Sequence, residues 1–171
     1  MLIKRFFWVG FFTISLIACG FHLRGNIPLP KKISPMYIAT KSPYDPLVQL
    51  IEDTLTASHI ELTDSPKKAN TILNIMNIQY SENLVSVAAS TNTRQYALSE
   101  TLQMELTTPK GTPVIPVSAL TASNPLTVNS NEVLNTSAQK QTLEQEMRQA
   151  IVQQLMMRLG SPRTEQALNP K

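Results

Sequence analysis

The sequence has little of what most catalytic and metal-binding sites require. It contains one cysteine, two histidines and five glycines among 171 residues. A single cysteine excludes an internal disulfide. Neither His22 nor His59 has a cysteine, a second histidine or a carboxylate at the spacing of metal ligands. A nucleophile elbow, a Ser-x-x-Lys motif and a phosphate-binding glycine loop are also missing. The sequence therefore predicts a protein that is not an enzyme and that holds no metal or other cofactor.

Charge is scarce as well. Charged residues make up 16% of the chain, against about 25% in typical soluble domains. Residues 19–171 contain 13 basic and 12 acidic residues, so no basic stripe is left for a nucleic-acid backbone, and no nucleic-acid partner is predicted. The same residues include 13 Ser, 16 Thr, 11 Asn and 11 Gln. Such a composition is typical of an ordinary solvated surface, but it also suits contact with a polar partner wall without desolvation of charge.

The first 18 residues have the pattern of a cleavable signal peptide. Lys4 and Arg5 precede an apolar run from Phe6 to Ile17, which corresponds to the positive n-region and short h-region of such signals. A helix of about 12 residues is about 18 Å long and cannot cross a hydrocarbon core of about 30 Å. We therefore expect residues 1–18 to be removed rather than to stay as a membrane anchor.

The single cysteine stands at the place where a lipoprotein signal ends. Leu16-Ile17-Ala18-Cys19 is a lipobox, so Cys19 is expected to carry S-diacylglycerol on its thiol and an acyl chain on its amine. Several chains hold a protein at a membrane far more firmly than one. The alternative is a buried free cysteine behind an ordinary signal. In enteric bacteria, an Asp directly after the lipidated cysteine favours retention in the inner membrane. This chain has Gly20 at that position, and the absence of Asp favours the outer membrane.

One α+β domain is predicted over residues 36–160, with two helices packed on one face of a mainly antiparallel sheet of about four strands. Residues 19–35 are expected to form the lipid anchor and an extended, proline-containing tether. Residues 161–171 are expected to form a disordered tail. The first helix begins at the Asp45-Pro46 cap and ends near Ser58. The second runs from about Ser137 to Leu159, where apolar residues recur at three- and four-residue steps.

Strands are predicted from alternating apolar residues and turn residues. The segments are Pro35–Thr40, Thr71–Ser81, Leu84–Ala89, Arg94–Thr108 and Val114–Ser123, with a connection at Asn124–Asn135. In Thr71–Ser81 the residues of one parity include Ile72, Met76, Ile78 and Tyr80. In Arg94–Thr108 one parity, interrupted by Glu100, includes Tyr96, Leu98, Leu102, Met104 and Leu106.

The residues after the lipobox are more specific. Cys19-Gly20-Phe21-His22-Leu23-Arg24-Gly25 resembles the opening of the LptE lipoproteins, whose mature chains typically start Cys-Gly-(Trp/Phe)-His-Leu-Arg. Size and element order also resemble that family as far as Ser161. The resemblance implies a protein lipid-anchored on the periplasmic side of the outer membrane. It would plug the lumen of the LptD β-barrel, support assembly of that barrel and take part in lipopolysaccharide delivery to the outer leaflet. The scarcity of charge suits a barrel lumen, which is itself polar.

The resemblance further implies contact with lipopolysaccharide, whose phosphates call for lysine or arginine. The family's contact positions correspond here to Ala89 and Thr136, and neither residue is basic. Arg94 and Lys140 lie a few residues away, and Lys110 lies on a predicted hairpin tip. These three are the candidate lipopolysaccharide contacts, with a solvated surface charge as the alternative for each.

Two functions are left open by the sequence. The first is the plug and assembly partner of an LptD-type barrel. The second is a free-standing periplasmic lipoprotein that carries an amphipathic ligand. A carrier should be recovered alone and contain an enclosed apolar cavity, whereas a plug should be recovered with its barrel.

Overall fold

A computed structural model describes residues 27–88, 93–129 and 133–169. After a 3-10 turn at Lys31–Ile33, the elements are β1 (Met36–Thr40), α1 (Pro46–Ala57), β2 (Thr71–Ala88), β3 (Thr93–Thr107), β4 (Pro113–Asn129), α2 (Val133–Leu159) and α3 (Pro162–Leu168). The predicted signal peptide and lipobox lie outside the described residues.

The four strands form one sheet in the order β1-β2-β3-β4. β1 is parallel to β2, and the other two pairs are antiparallel. α1 and α2 cover one face, which we call the inner face, and the opposite face is called the outer face. This arrangement confirms the predicted α+β fold with two helices on one side of a mainly antiparallel sheet. Among the described helices, none is long and apolar enough to cross a membrane.

The core lies between the inner face and the two long helices. The predicted parity of β3 is confirmed, because Leu98, Leu102, Met104 and Leu106 are all fully buried. Leu47, Ile51 and Leu55 of α1 meet Ile151 and Leu155 of α2 in the same cluster. The side chain of Asp45 caps α1 by accepting a hydrogen bond from the Leu47 N–H at 2.8 Å, as the Asp-Pro pair predicts.

β2 differs from its predicted parity because it contains a β-bulge. The pairing with β3 shifts between Ile75 and Asn77. Before the bulge, Leu73 and Ile75 are buried, whereas Met76 is 50% exposed. After it, Ile78 packs against the core. The prediction that Ile72, Met76, Ile78 and Tyr80 share one face was therefore wrong, because one extra residue reverses the alternation.

The strands of the long hairpins are longer than predicted. Thr71–Ser81 and Leu84–Ala89 are parts of one strand, β2, which runs to Ala88. β4 continues to Asn129, so the predicted connection at Asn124–Asn135 begins six residues too early. Antiparallel pairing with β3 accounts for this, since Asn124–Asn129 are all opposite β3 residues.

The described part of the predicted extended tether, residues 27–35, contains a 3-10 turn and packs on the domain, so the prediction of a tether separate from the domain was wrong there. Ile33 is fully buried, and Ile27 and Leu29 pack against the core. The Thr71 hydroxyl donates a 2.7 Å hydrogen bond to the Ile33 carbonyl, which holds the 3-10 turn at the start of β2. Residues 27–35 therefore belong to the domain.

The predicted disordered tail was also wrong for its described part, residues 161–169. Ser161 caps α3, its side chain accepting a hydrogen bond from the Thr164 N–H. The Thr164 hydroxyl donates to the Arg158 carbonyl at 2.7 Å, and Thr164 is only 2% exposed. These bonds dock α3 against the end of α2. Pro170 and Lys171 lie outside the described residues.

Candidate functional site

Four rows of paired residues make up the centre of the outer face. Directly paired residues of neighbouring strands point to the same side of a sheet. The rows are Asn77–Gln103–Ala119, Gln79–Thr101–Thr121, Ser81–Ser99–Ser123 and Asn83–Ala97–Pro125. The 3.0 Å hydrogen bond between the Thr101 and Thr121 hydroxyls shows that the second row shares one face.

None of the residues in these rows is charged, and all are exposed or half-buried. The described α-helices are on the other side, so the outer face presents amides, hydroxyls and small side chains to its surroundings. Of the charged residues on β3, Glu105 is the one on the same side of the strand as these rows. Its carboxylate accepts a hydrogen bond from the Asn74 amide at 3.0 Å. This surface can therefore exchange hydrogen bonds with a polar partner without removing a charge from water.

The candidate basic residues are not gathered in one place. Arg94 is exposed near the start of β3, and Lys110 is exposed in the turn after β3 ends at Thr107. The 13 residue-to-residue steps from Arg94 to Thr107 span about 43 Å at about 3.3 Å per step. One lipid headgroup cannot contact both. Cys19 lies outside the described residues.

Lys140 is at the same end of the sheet as Arg94, but it is engaged with the inner face of β2. Its Nζ donates a 2.6 Å hydrogen bond to Glu82 Oε2 and lies 5.6 Å from the centre of the Tyr80 ring. The hydrogen bond to Glu82 raises the pKa of Lys140. Burial raises the pKa of Tyr80, and the Lys140 charge opposes that rise. Lys140 therefore links α2 to β2, and Glu82 competes with any other anion for its ammonium group.

An apolar patch surrounds Arg94. Leu84, Val85 and Val87 are 54%, 63% and 60% exposed, and Val87 is the direct neighbour of Arg94 across the β2–β3 pair. A second register shift, between Leu84 and Ser86, leaves Val85 as the extra residue. The end of the β2–β3 pair thus combines exposed aliphatic side chains with one cation. We call these four residues the hairpin tip.

A buried charged cluster on the inner face was not predicted as a site. Glu100, seen in the sequence only as an interruption of the apolar parity, is 5% exposed. Arg148 of α2 lies 3.8 Å from Glu100 and 3.2 Å from Glu144. Burial raises the pKa of Glu100, and the Arg148 charge opposes that rise. The residue types alone could not reveal the pair, because its partners are 48 positions apart.

A cleft of about 560 Å³ between β4, α2 and α3 was also missed. Arg158 and Arg163 line it, together with Val114, Ile115 and Met157. No sequence signal indicated it, because its second wall is α3, which was expected to be disordered. Among the described residues, no group of three or more His, Cys, Asp or Glu side chains could hold a metal ion.

Comparisons with known proteins agree with this fold. Residues 33–159 match the LptE family, described as lipopolysaccharide-assembly. The "LPS-assembly lipoprotein LptE" of Pectobacterium atrosepticum is 26% identical over 152 residues, which cover 88% of this chain and 82% of that protein. The protein of the same name from Yersinia enterocolitica is 28% identical over 156 residues, covering 88% of this chain and 72% of that protein.

A solved structure shares the fold. The solution structure of an uncharacterized lipoprotein B from Nitrosomonas europaea superimposes with a TM-score of 0.69 at 18% identity, covering 82% of this chain and 90% of that one. The family match ends at Leu159, so α3 and the cleft wall that it supplies lie beyond it.

Proposed function

Because the chain belongs to the LptE family of lipopolysaccharide-assembly proteins, whose members are non-enzymatic assembly lipoproteins, we propose that it plugs an LptD-type β-barrel of the outer membrane. In this role it supports assembly of the barrel and takes part in lipopolysaccharide delivery to the outer leaflet. The chain acts by binding and not by catalysis.

The outer face is the observation that carries this proposal. Its four rows bring uncharged side chains of β2, β3 and β4 together on one surface. The lumen wall of an outer-membrane barrel is lined with polar side chains. Amide and hydroxyl groups can meet such a wall through direct or water-mediated hydrogen bonds, and neither kind requires a charge to be desolvated.

The hairpin tip is the surface that best fits contact with lipopolysaccharide. A lipopolysaccharide molecule presents phosphates beside acyl chains, and the tip presents the Arg94 cation beside Leu84, Val85 and Val87, all exposed. Lys140 can assist from the same end of the sheet if it exchanges Glu82 for a phosphate. Lys110 lies at the opposite end of the sheet, so it would not bind the same lipopolysaccharide phosphate as Arg94.

Attachment at Cys19 places the protein on the periplasmic side of the outer membrane in this proposal. The lipobox and the absence of an Asp after Cys19 support it, and so does the word lipoprotein in the names of the LptE relatives. A triacylated cysteine would keep the domain at the barrel during assembly.

The experiment is a pull-down of the tagged full-length protein from outer membranes in a mild detergent, with the partner identified by mass. We expect a large barrel in near-equimolar amount. In cells depleted of the protein, we expect that barrel to be misassembled. Recovery of the protein alone, under conditions that keep other barrel complexes intact, would overturn the plug and favour the carrier of an amphipathic ligand.

A further inference from the structure

One end of the sheet is rich in exposed basic residues. The starts of β1, β2 and β4 and the end of β3 meet there, as the strand pairing shows. Lys31 and Lys32 lie in the 3-10 turn before β1, Lys67 and Lys68 in the loop before β2, and Lys110 in the turn before β4. All five are exposed. We call this the basic end.

Acidic residues are fewer at the basic end. They are Glu52, Glu61, Asp64, Glu105 and Glu165. α2 returns to this end after running back along β4, since the Gln154 amide donates to the Thr121 carbonyl at 3.0 Å. Its last turn adds Arg158, and α3 adds Arg163. The basic end therefore carries an excess of positive charge, although the described chain as a whole is close to neutral.

The cleft lies at the β4 edge of the basic end. Its volume of about 560 Å³ is in the range of ligand sites in proteins. Arg158 and Arg163 both line it, and no acidic side chain does. Neither arginine is in an ion pair within the described part of the chain. Val114, Ile115 and Met157 provide an apolar wall beside the two guanidinium groups, and Met157 is 44% exposed.

The basic end is also where the chain leaves toward the predicted lipid anchor. A Cβ placed on Gly160 would lie 2.6 Å from Cγ2 of Ile27 and 3.0 Å from the Pro28 carbonyl oxygen, so the first described residues touch the junction of α2 and α3. Ile27 follows Cys19 by eight positions in the chain. Such a segment spans at most about 28 Å, which keeps the cleft close to the membrane surface.

We propose that this cleft binds the phosphate of an anionic glycerophospholipid, with Arg158 and Arg163 on the phosphate and the apolar wall along the first part of an acyl chain. The guanidinium groups suit a phosphate because each can donate two parallel hydrogen bonds. The surrounding lysines of the basic end are attracted to the anionic membrane surface. This proposal depends on the proposed function only for the lipid anchor that brings the cleft to the membrane.

The chain's own segment between Cys19 and Ile27 does not fit the cleft as well. That segment contains Arg24 and no acidic residue, so it would place a third arginine beside Arg158 and Arg163. The cleft is also at the opposite end of the sheet from the hairpin tip, and so it is a separate site from the contacts proposed for lipopolysaccharide.

The test is a calorimetric titration of the full-length, lipid-anchored protein in a mild non-ionic detergent. The probes are monomeric dihexanoyl phosphatidylglycerol, dihexanoyl phosphatidylcholine and inorganic phosphate. We expect saturable binding of the phosphatidylglycerol, at least fivefold weaker binding of the other two, and at least tenfold weaker phosphatidylglycerol binding by the R158Q/R163Q variant. Lys41→Gln removes an exposed lysine that lies after β1, outside the basic end and the hairpin tip, and should bind as the unmodified protein does.

A second variant separates the two halves of the site. Met157→Gln should weaken binding of the phosphatidylglycerol but leave binding of inorganic phosphate unchanged, because only the apolar wall is altered. The proposal is overturned if phosphatidylglycerol shows no saturable binding or if R158Q/R163Q binds it as tightly as the unmodified protein. Equal affinity for phosphatidylglycerol and inorganic phosphate would overturn the lipid assignment. These titrations use no barrel, so their failure is distinct from failure of the plug proposal.

Discussion

Arg148 Nε lies 3.8 Å from Oε1 of Glu100, a carboxylate that the inner face of β3 buries beneath α2. The other carboxylate oxygen, Oε2, is buried and has no hydrogen-bond partner among the described residues. Burial raises the pKa of Glu100, and the charge of Arg148 only partly opposes the rise. Ionisation of Glu100 is therefore less favourable in the folded protein than in the unfolded chain.

This relationship predicts that Glu100→Gln stabilises the protein at pH 7. Because the folded-state pKa is raised, the native state binds the Glu100 proton more tightly than the unfolded state does. The contribution of this proton to the unfolding free energy is fully present below the ordinary pKa of 4.5. It is lost as the pH rises through the pKa of Glu100 in the folded protein. Glutamine does not ionise, so the variant should lack this loss and gain on the order of 1 kcal/mol in unfolding free energy at pH 7.

Urea denaturation from pH 4 to pH 8 measures this effect. The difference between variant and unmodified protein should grow as the pH rises. Glu61→Gln is the matched control, because Glu61 is exposed and its substitution should change the unfolding free energy by less than about 0.5 kcal/mol. A Glu100→Gln variant that is less stable at pH 7 would show that attraction to Arg148 outweighs the cost of burial.

Glu82 is predicted to compete with lipopolysaccharide for Lys140. Glu82→Gln should release the lysine and strengthen lipopolysaccharide binding about two- to fivefold, since an exposed ion pair contributes up to about 1 kcal/mol. Lys140→Gln should weaken binding. The measurement is a titration of the full-length protein with lipopolysaccharide, and Lys41→Gln, which removes an exposed lysine outside the helices and strands, is the control. Unchanged binding in both variants would assign Lys140 a purely structural role.

Short sequence patterns correctly predicted the start of α1 and the buried face of β3. The Asp45–Pro46 cap located α1, and alternating apolar residues identified the buried face of β3, because each signal acts within a few residues. The bulge at Met76 could not be predicted in this way. It is fixed by the pairing of β2 with β3, and no residue in Thr71–Ser81 marks it.

The two ends of the domain were mispredicted for a related reason. Prolines 28, 30 and 35 favour an extended segment, but they do not indicate whether that segment packs on the domain. Ile33 is buried in the core, and its carbonyl accepts a hydrogen bond from the Thr71 hydroxyl. α3 is short, and it is ordered by the Ser161 cap and the bond from Thr164 to Arg158. The cleft that these contacts create was therefore invisible in the sequence, whereas the uncharged composition that leads to the outer face was visible.

Gly160→Ala is predicted to loosen the N-terminal segment from the end of α2. The new methyl group would lie 2.6 Å from Ile27 Cγ2 and 3.0 Å from the Pro28 carbonyl oxygen, so backbone as well as side chain must move. We expect a loss of about 1–3 kcal/mol, as for other overpacked sites. Thermal unfolding measures it, and Ile27→Ala in the same variant should restore part of the loss. The contact is not stabilising if Gly160→Ala unfolds at the original temperature.

Gln103→Lys tests whether the outer face meets a barrel wall. Gln103 is exposed on β3 and is paired with Asn77 of β2 and Ala119 of β4. The substitution should change the unfolding free energy by less than about 0.5 kcal/mol, since the site is open to water. In a complex, however, the ammonium group would lose hydration against the barrel wall, and this costs far more than the desolvation of an amide. We therefore expect the variant to fold normally but to recover at least fivefold less barrel in the pull-down.

Gln153→Lys places the same charge on the exposed side of α2 and should recover the usual amount. If the two variants recover equal amounts, the outer face does not contact the barrel, and the contact surface must lie on the helices or at the ends of the sheet.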